Sequence, residues 1–129
     1  MTGPVRVWYA TVYVRDFARA LRFYRDKLDL PLRFADEKFG FASFATPGAG
    51  FTVARVDPND PQQERLLGRH TGIAFGVDDL QKTYEAWLAR GVAFPLPPTA
   101  QPWGGTLAQL TDPEGNLITL DQLRAEGGG

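Results

Sequence analysis

The chain has 129 residues, one-domain length, with 43% hydrophobic, 22% charged and 12% aromatic residues, which sets disordered and fibrous classes aside. Lys plus Arg is 14 against 15 for Asp plus Glu, so the basic balance of a nucleic-acid-binding domain is missing. No cysteine is present and there is one histidine, so disulfide frameworks, zinc ribbons, thiol chemistry and two-histidine metal sites within one chain are excluded.

Residues 1–7 carry no apolar segment followed by a small-residue cleavage site, and no run approaches the length of a membrane-spanning helix. The expectation is a soluble, cytoplasmic protein.

In chain order, an apolar, β-branched run over 5–14 predicts a strand. Asp16 follows, and Phe17, Leu21, Tyr24 and Leu28 then fall on one helical stripe. Asp16 suits the N-cap, where a carboxylate accepts orphan N–H groups. The helix is expected to stop near Asp29, ahead of Pro31. Runs 32–35, 40–46 and 50–56 predict three further strands, with Thr46-Pro47-Gly48 signalling a hairpin. Residues 57–69, with prolines and charges, predict a linker.

The pattern then repeats. A strand over 71–77 leads to Asp79, 63 residues after Asp16, and to a second stripe of Leu80, Tyr84, Trp87 and Leu88 that ends at Gly91. Strands are predicted over 92–96, 106–111 and 116–121, the last two joined by Asp112-Pro113-Glu114-Gly115-Asn116. Between them, Pro95, Pro97, Pro98 and Pro102 predict a stiff extended loop, because Pro-Pro cannot continue a central strand. The domain reading is a βαβββ module over 1–56, the linker over 57–69, a second module over 70–123 and a frayed tail over 124–129.

Five segments carry a resemblance. They are Val12-Tyr13-Val14-Arg15-Asp16, Phe23-Tyr24-Arg25-Asp26, Gly72-Ile73-Ala74-Phe75-Gly76-Val77-Asp78-Asp79-Leu80, Pro102-Trp103-Gly104-Gly105 and Asp112-Pro113-Glu114-Gly115-Asn116-Leu117-Ile118. Together they resemble the vicinal oxygen chelate superfamily, the glyoxalase/bleomycin-resistance/dioxygenase family. The resemblance implies an α+β fold: two βαβββ modules forming a curled mixed sheet around one cleft, helices outside. It also implies a homodimer.

Side-chain alternation then assigns faces. Tyr9, Thr11 and Tyr13 are expected to face the cleft, with Ala10, Val12 and Val14 toward the helix. In the second module His70, Gly72 and Ala74 face inward, as do Leu117, Thr119 and Asp121, while Ile118 and Leu120 face away. Trp8 is expected to pack outward, against a helix or a partner subunit.

The metalloenzymes of this family hold a divalent ion at positions that correspond here to Tyr9, Gly72, Thr119 and either Thr52 or Ala54. None of these is a good ligand at neutral pH: glycine and alanine offer no donor, and divalent zinc prefers histidine, cysteine and carboxylate. No metal or other cofactor is therefore expected. A displaced His70/Asp121 pair would supply only two ligands. Asp57-Pro58-Asn59-Asp60 lacks the glycine and glutamate of a calcium loop and reads as solvated linker.

What remains is a pocket for a flat molecule. The preferred reading is a metal-independent small-molecule-binding protein of the bleomycin-resistance type, sequestering an aromatic ligand or antibiotic. Its candidate residues are Tyr9, Thr11, Phe41, Phe44, Thr52, Ala54, His70, Gly72, Trp103, Gln109, Thr119 and Asp121. Tyr9, Trp103 and the phenylalanines would stack, and the polar residues would hydrogen-bond. The alternatives are a glyoxalase-like lyase or dioxygenase-related enzyme with shifted ligands or with His70 as acid/base, and a dimeric scaffold whose cleft is filled by its own side chains.

Overall fold

A computed structural model describes residues 3–124. The chain divides into two compact units, 1–66 and 67–129. Each carries one βαβββ module, so the fold is α+β.

In the first unit β1 (Tyr9–Val14) alternates as its sequence dictates: Val12 and Val14 are buried, and Tyr9 is exposed. The strand is shorter than the apolar run that announces it, for residues 5–8 are irregular. Asp16 caps α1 (Phe17–Arg22), its Oδ1 accepting from Arg19 N at 3.1 Å. A π-helical turn over Phe23–Lys27 follows, closed by Leu28 N donating to Phe23 O at 3.1 Å. The wider turn buries the consecutive rings of Phe23 and Tyr24 edge to face, 5.0 Å apart. The stripe Phe17, Leu21, Tyr24 and Leu28 is buried throughout. Asp29, at φ 59°, then turns the chain out of the helix.

Strands β2 (Leu32–Asp36), β3 (Phe41–Phe44) and β4 (Gly50–Arg55) complete the sheet, in the order β1-β4-β3-β2. β1 runs parallel to β4, and the other pairs are antiparallel. One sheet face takes the helical stripe: Tyr24 lies 5.1 Å from Phe51 and 6.3 Å from Phe44, ring to ring. A 3-10 turn, Pro61–Leu66, occupies part of the segment expected to be linker.

The second unit repeats the plan with β5 (His70–Val77), α2 (Leu80–Ala89), β6 (Ala93–Ala100), β7 (Thr106–Thr111) and β8 (Leu117–Gln122), in the order β5-β8-β7-β6. Ala108, Leu110, Ile118 and Leu120 form its buried face. Asp79 caps α2 by accepting from Lys82 N at 3.0 Å. Gln122 completes the cap from β8, accepting from Leu80 N at 2.8 Å and donating to Asp78 O at 2.6 Å. Asp79→Ala should therefore cost about 1 kcal/mol, read as a fall of about 4 °C in Tm. An unchanged melting curve would mean that Gln122 alone suffices as the cap.

Two expectations need correction here. The proline-rich segment is not a loop, because Pro95, Pro97 and Pro98 lie within β6. β6 is an edge strand, where missing N–H groups cost no ladder bonds, and its register slips twice across the prolines. In α2, Leu88 is exposed while its neighbour Trp87 is buried. The two residues are about 100° apart on the helix, so only one of them meets the sheet. Of the expected frayed tail, 125–129 lies outside the described residues. Among the described residues no helix is long and apolar enough to cross a membrane.

Candidate functional site

The face of the first sheet turned away from α1 follows from register. Tyr9 pairs with Gly50 and Thr11 with Thr52, Ser43 opposes Thr52 and Phe34 opposes Ser43, so these residues share one side. Along this side runs a groove of about 790 Å3, lined by residues of the first unit alone. That volume is in the range of small-molecule sites.

The floor comes from strands: Tyr9, Phe34, Phe41, Ser43, Gly50 and Thr52. One wall is the irregular segment Arg6, Val7 and Trp8, held to the sheet by Gly50 N donating to Trp8 O at 2.9 Å. The other is the β3–β4 turn, with Thr46, Gly48 and Ala49, in which Thr46 Oγ1 donates to Ala49 O at 2.7 Å and Gly48 has φ 83°.

Aromatic surface dominates. Trp8 is 67% exposed, Tyr9 55% and Phe34 53%, and Phe34 lies 5.8 Å from Phe41, ring to ring. Exposed apolar rings gathered in one place form the kind of surface at which binding sites are found. Hydroxyls at Ser43, Thr46 and Thr52 add polar contacts. Thr52 is already engaged, its Oγ1 lying 2.6 Å from that of Thr11.

Of the residues expected in the first module, the structure brings Tyr9, Phe41 and Thr52 to the groove. Thr11 and Ala54 share their face but lie outside the lining. Phe44 is a correction. It is 0% exposed and packs on Phe51 at 6.0 Å in the helix-side core. Three residues from Phe41, it falls on the opposite face by alternation alone.

Trp8, expected to pack outward against a helix or a partner subunit, is exposed and lines the groove beneath the Arg6 guanidinium, which stands 4.8 Å from its ring centroid.

The other candidates belong to the second unit. Gln109 and Thr119 are directly opposed across β7 and β8, on the face carrying Asp121. Trp103 is 68% exposed on the β6–β7 turn, closed by Gln101 N donating to Gly105 O at 2.7 Å. His70 and Asp121 are not brought together. His70 pairs with Leu117 and Gly76 with Asp121, so the two lie about 13 Å apart along the sheet at the usual rise of about 3.3 Å per residue. His70 Nδ1 accepts from Gly72 N at 3.1 Å.

Gly72 departs from a ligand position in its backbone as well. At φ 75° it forms the bulge between His70 and Ala74, a conformation that disfavours any side chain. Among the described residues no three His, Cys, Asp or Glu side chains cluster. Taken singly, Tyr9, Thr52, Gly72 and Thr119 offer no imidazole, carboxylate or thiolate, so the residues at the expected ligand positions do not suit a divalent ion such as zinc.

Sequence reasoning missed Arg6, Val7, Arg33, Phe34, Ser43 and the 46–50 turn. Arg33 was hidden by a bulge. Leu32 pairs with Phe44 and Phe34 with Ser43, so Arg33 is the extra residue and escapes the alternation that would send it to the helix side.

Comparison with known proteins agrees with this fold. The Glyoxalase/Bleomycin resistance protein/Dioxygenase superfamily model matches residues 6–120, and the chain belongs to that family. It is 26% identical to the uncharacterized protein YraH of Bacillus subtilis (strain 168), over 85% of this chain and 92% of the relative. A crystal structure of a member of the same superfamily from Sphaerobacter thermophilus DSM 20745 superposes with TM-score 0.77 at 31% identity, over 93% of this chain and 98% of that one. Lactoylglutathione lyase from Agrobacterium tumefaciens superposes with TM-score 0.73 over 98% of this chain and 100% of its own, and at 17% identity it shares the fold alone.

Proposed function

We propose that this chain is a metal-independent small-molecule-binding protein that sequesters a flat aromatic ligand, such as an aromatic antibiotic, on the first sheet. The observation that supports this reading is the groove itself, a hollow of about 790 Å3 with Trp8, Tyr9, Phe34 and Phe41 along it. A planar ring laid on these side chains removes apolar surface from water on both partners and gains offset or edge contacts worth about 1 kcal/mol per aromatic pair. The hydroxyls of Ser43 and Thr46 would orient the ligand. The groove holds no carboxylate, histidine or cysteine for acid/base or nucleophilic work, so binding rather than turnover is the activity it suits.

Thermal shift across a panel of aromatic compounds, in the presence of a chelator, tests this. A binder at about a hundred times its Kd should stabilise the fold by about 2.7 kcal/mol, or about 10 °C for a chain of this size. Trp8→Ala should remove most of that shift while leaving the unliganded Tm within about 2 °C, since surface changes stay near 0.5 kcal/mol. Silence across the panel, or shifts that appear only with an added divalent ion, would overturn the reading.

A further inference from the structure

The geometry points to an anionic aromatic as the ligand class: a flat ring system bearing a carboxylate, sulfonate or comparable group, with Arg6 and Arg33 receiving the negative charge. This deepens the aromatic-binding reading above and rests on it.

Three observations carry it. The groove is lined by two arginines and no acidic residue, in a chain whose formal net charge is -1. Its positive character is therefore local and does not follow from composition.

The second observation is that both groove arginines are available to a ligand. Arg15 is bridged by Glu64 at 2.8 Å and Arg25 by Asp26 at 2.8 Å, and Arg55 donates to Lys38 O at 2.9 Å. Among the described residues the side chains of Arg22, Arg65 and Arg69 make no ion pair or hydrogen bond either, so position in the groove is what distinguishes Arg6 and Arg33. Among the described residues, Arg6 and Arg33 have neither a carboxylate nor a hydrogen-bond acceptor; the Trp8 ring is the one partner of Arg6. Two guanidinium forks without acceptors, beside exposed rings, match the planar geometry of a carboxylate or sulfonate.

The third is the bulge. An ordinary register would place Arg33 on the face opposite Phe34, and the extra residue in β2 lets both line one groove. Bulges commonly re-aim a side chain at a site. A cationic ligand, by contrast, would meet two like charges with no counter-ion at hand.

The test uses three probes that share a ring system: 2-naphthoate, its uncharged amide, and 2-naphthylmethylammonium. Isothermal titration calorimetry on the whole chain reads their affinities. Naphthoate should bind at least about tenfold tighter than the amide, the increment of one charge-assisted hydrogen bond, and the ammonium probe weakest. Arg33→Gln and Arg6→Gln should each erase most of the naphthoate advantage, read as the ratio of naphthoate to amide affinity on the same variant. Both side chains lie in water, and a melting curve checks that each variant folds. Equal binding of naphthoate and amide, with both lost in Trp8→Ala, would overturn the anion inference and leave the aromatic reading intact. Tighter binding of the ammonium probe would do the same. Failure of all three probes would overturn both.

Discussion

Phe44→Ala should lower the free energy of unfolding by about 3–5 kcal/mol, the usual cost of deleting a fully buried phenylalanine. The ring is 0% exposed and lies between Tyr24 and Phe51, so the α1 stripe would face a cavity that its neighbours cannot close without breaking β3–β4 pairing. Against a total stability of about 5–15 kcal/mol, that is a fall of about 12–20 °C in Tm. Phe41→Ala is the paired control. Phe41 is three residues away and half-buried on the groove face, and its loss should cost about 1 kcal/mol while weakening aromatic ligands. Urea unfolding of both variants, with the m-value unchanged, measures the difference. A cost below about 1 kcal/mol for Phe44→Ala would show that the ring does not belong to the core.

Asp112→Ala should cost about 3 kcal/mol, for a different reason. This buried carboxylate organises the β7–β8 turn. Its Oδ1 accepts from Glu114 N at 2.9 Å and Asn116 N at 3.0 Å, and its Oδ2 from Asn116 Nδ2 at 2.9 Å. Asn116 is 0% exposed, so its two donors would lose this acceptor where water cannot replace it, at about 1–3 kcal/mol each. Asp112→Asn keeps an acceptor oxygen and should recover about half of the loss. Thermal melts of the pair check this. Equal Tm values for Asp112→Ala and the parent chain would mean that Gly115, at φ 84°, and the backbone bonds hold the turn without the carboxylate.

The fold was legible because its signals are local and doubled. Asp16 and Asp79 announce the two helices by the same chemistry, and both caps form as N-cap geometry requires. Alternation holds in β1 and β8, where Val12, Val14, Ile118 and Leu120 are buried and their neighbours are not; in β5 it shows only as a weaker alternation of half-buried and exposed residues. Proline misled where strand position was unknown: the residue that breaks a central strand is tolerated on an edge, and order within the sheet cannot be read from β6 alone.

Only a minor part of the groove lining was legible, Tyr9, Phe41 and Thr52, and the reason is physical. Tyr9, Phe41 and Thr52 sit on regular strands, where period-2 reasoning holds. Arg6 and Trp8 come from an irregular segment with no period, fixed in place by the Gly50 N to Trp8 O bond. Arg33 and Phe34 share the groove only because β2 carries a bulge, which no composition signal marks. The proline-glycine turn at 47–48 was visible as a turn, and its place as a groove wall depends on the N-terminal segment meeting the start of β4 at Gly50.

The most direct test is a 1H–15N titration of the whole chain with 2-naphthoate in the presence of a chelator, following the backbone amides and the three tryptophan indoles. The account predicts that the Trp8 indole and the amides of Tyr9, Arg33, Phe34, Ser43 and Gly50 shift together and saturate with one affinity, while the buried Trp87 indole stays still. Shifts confined to other parts of the chain, or shifts that require a divalent ion, would contradict it.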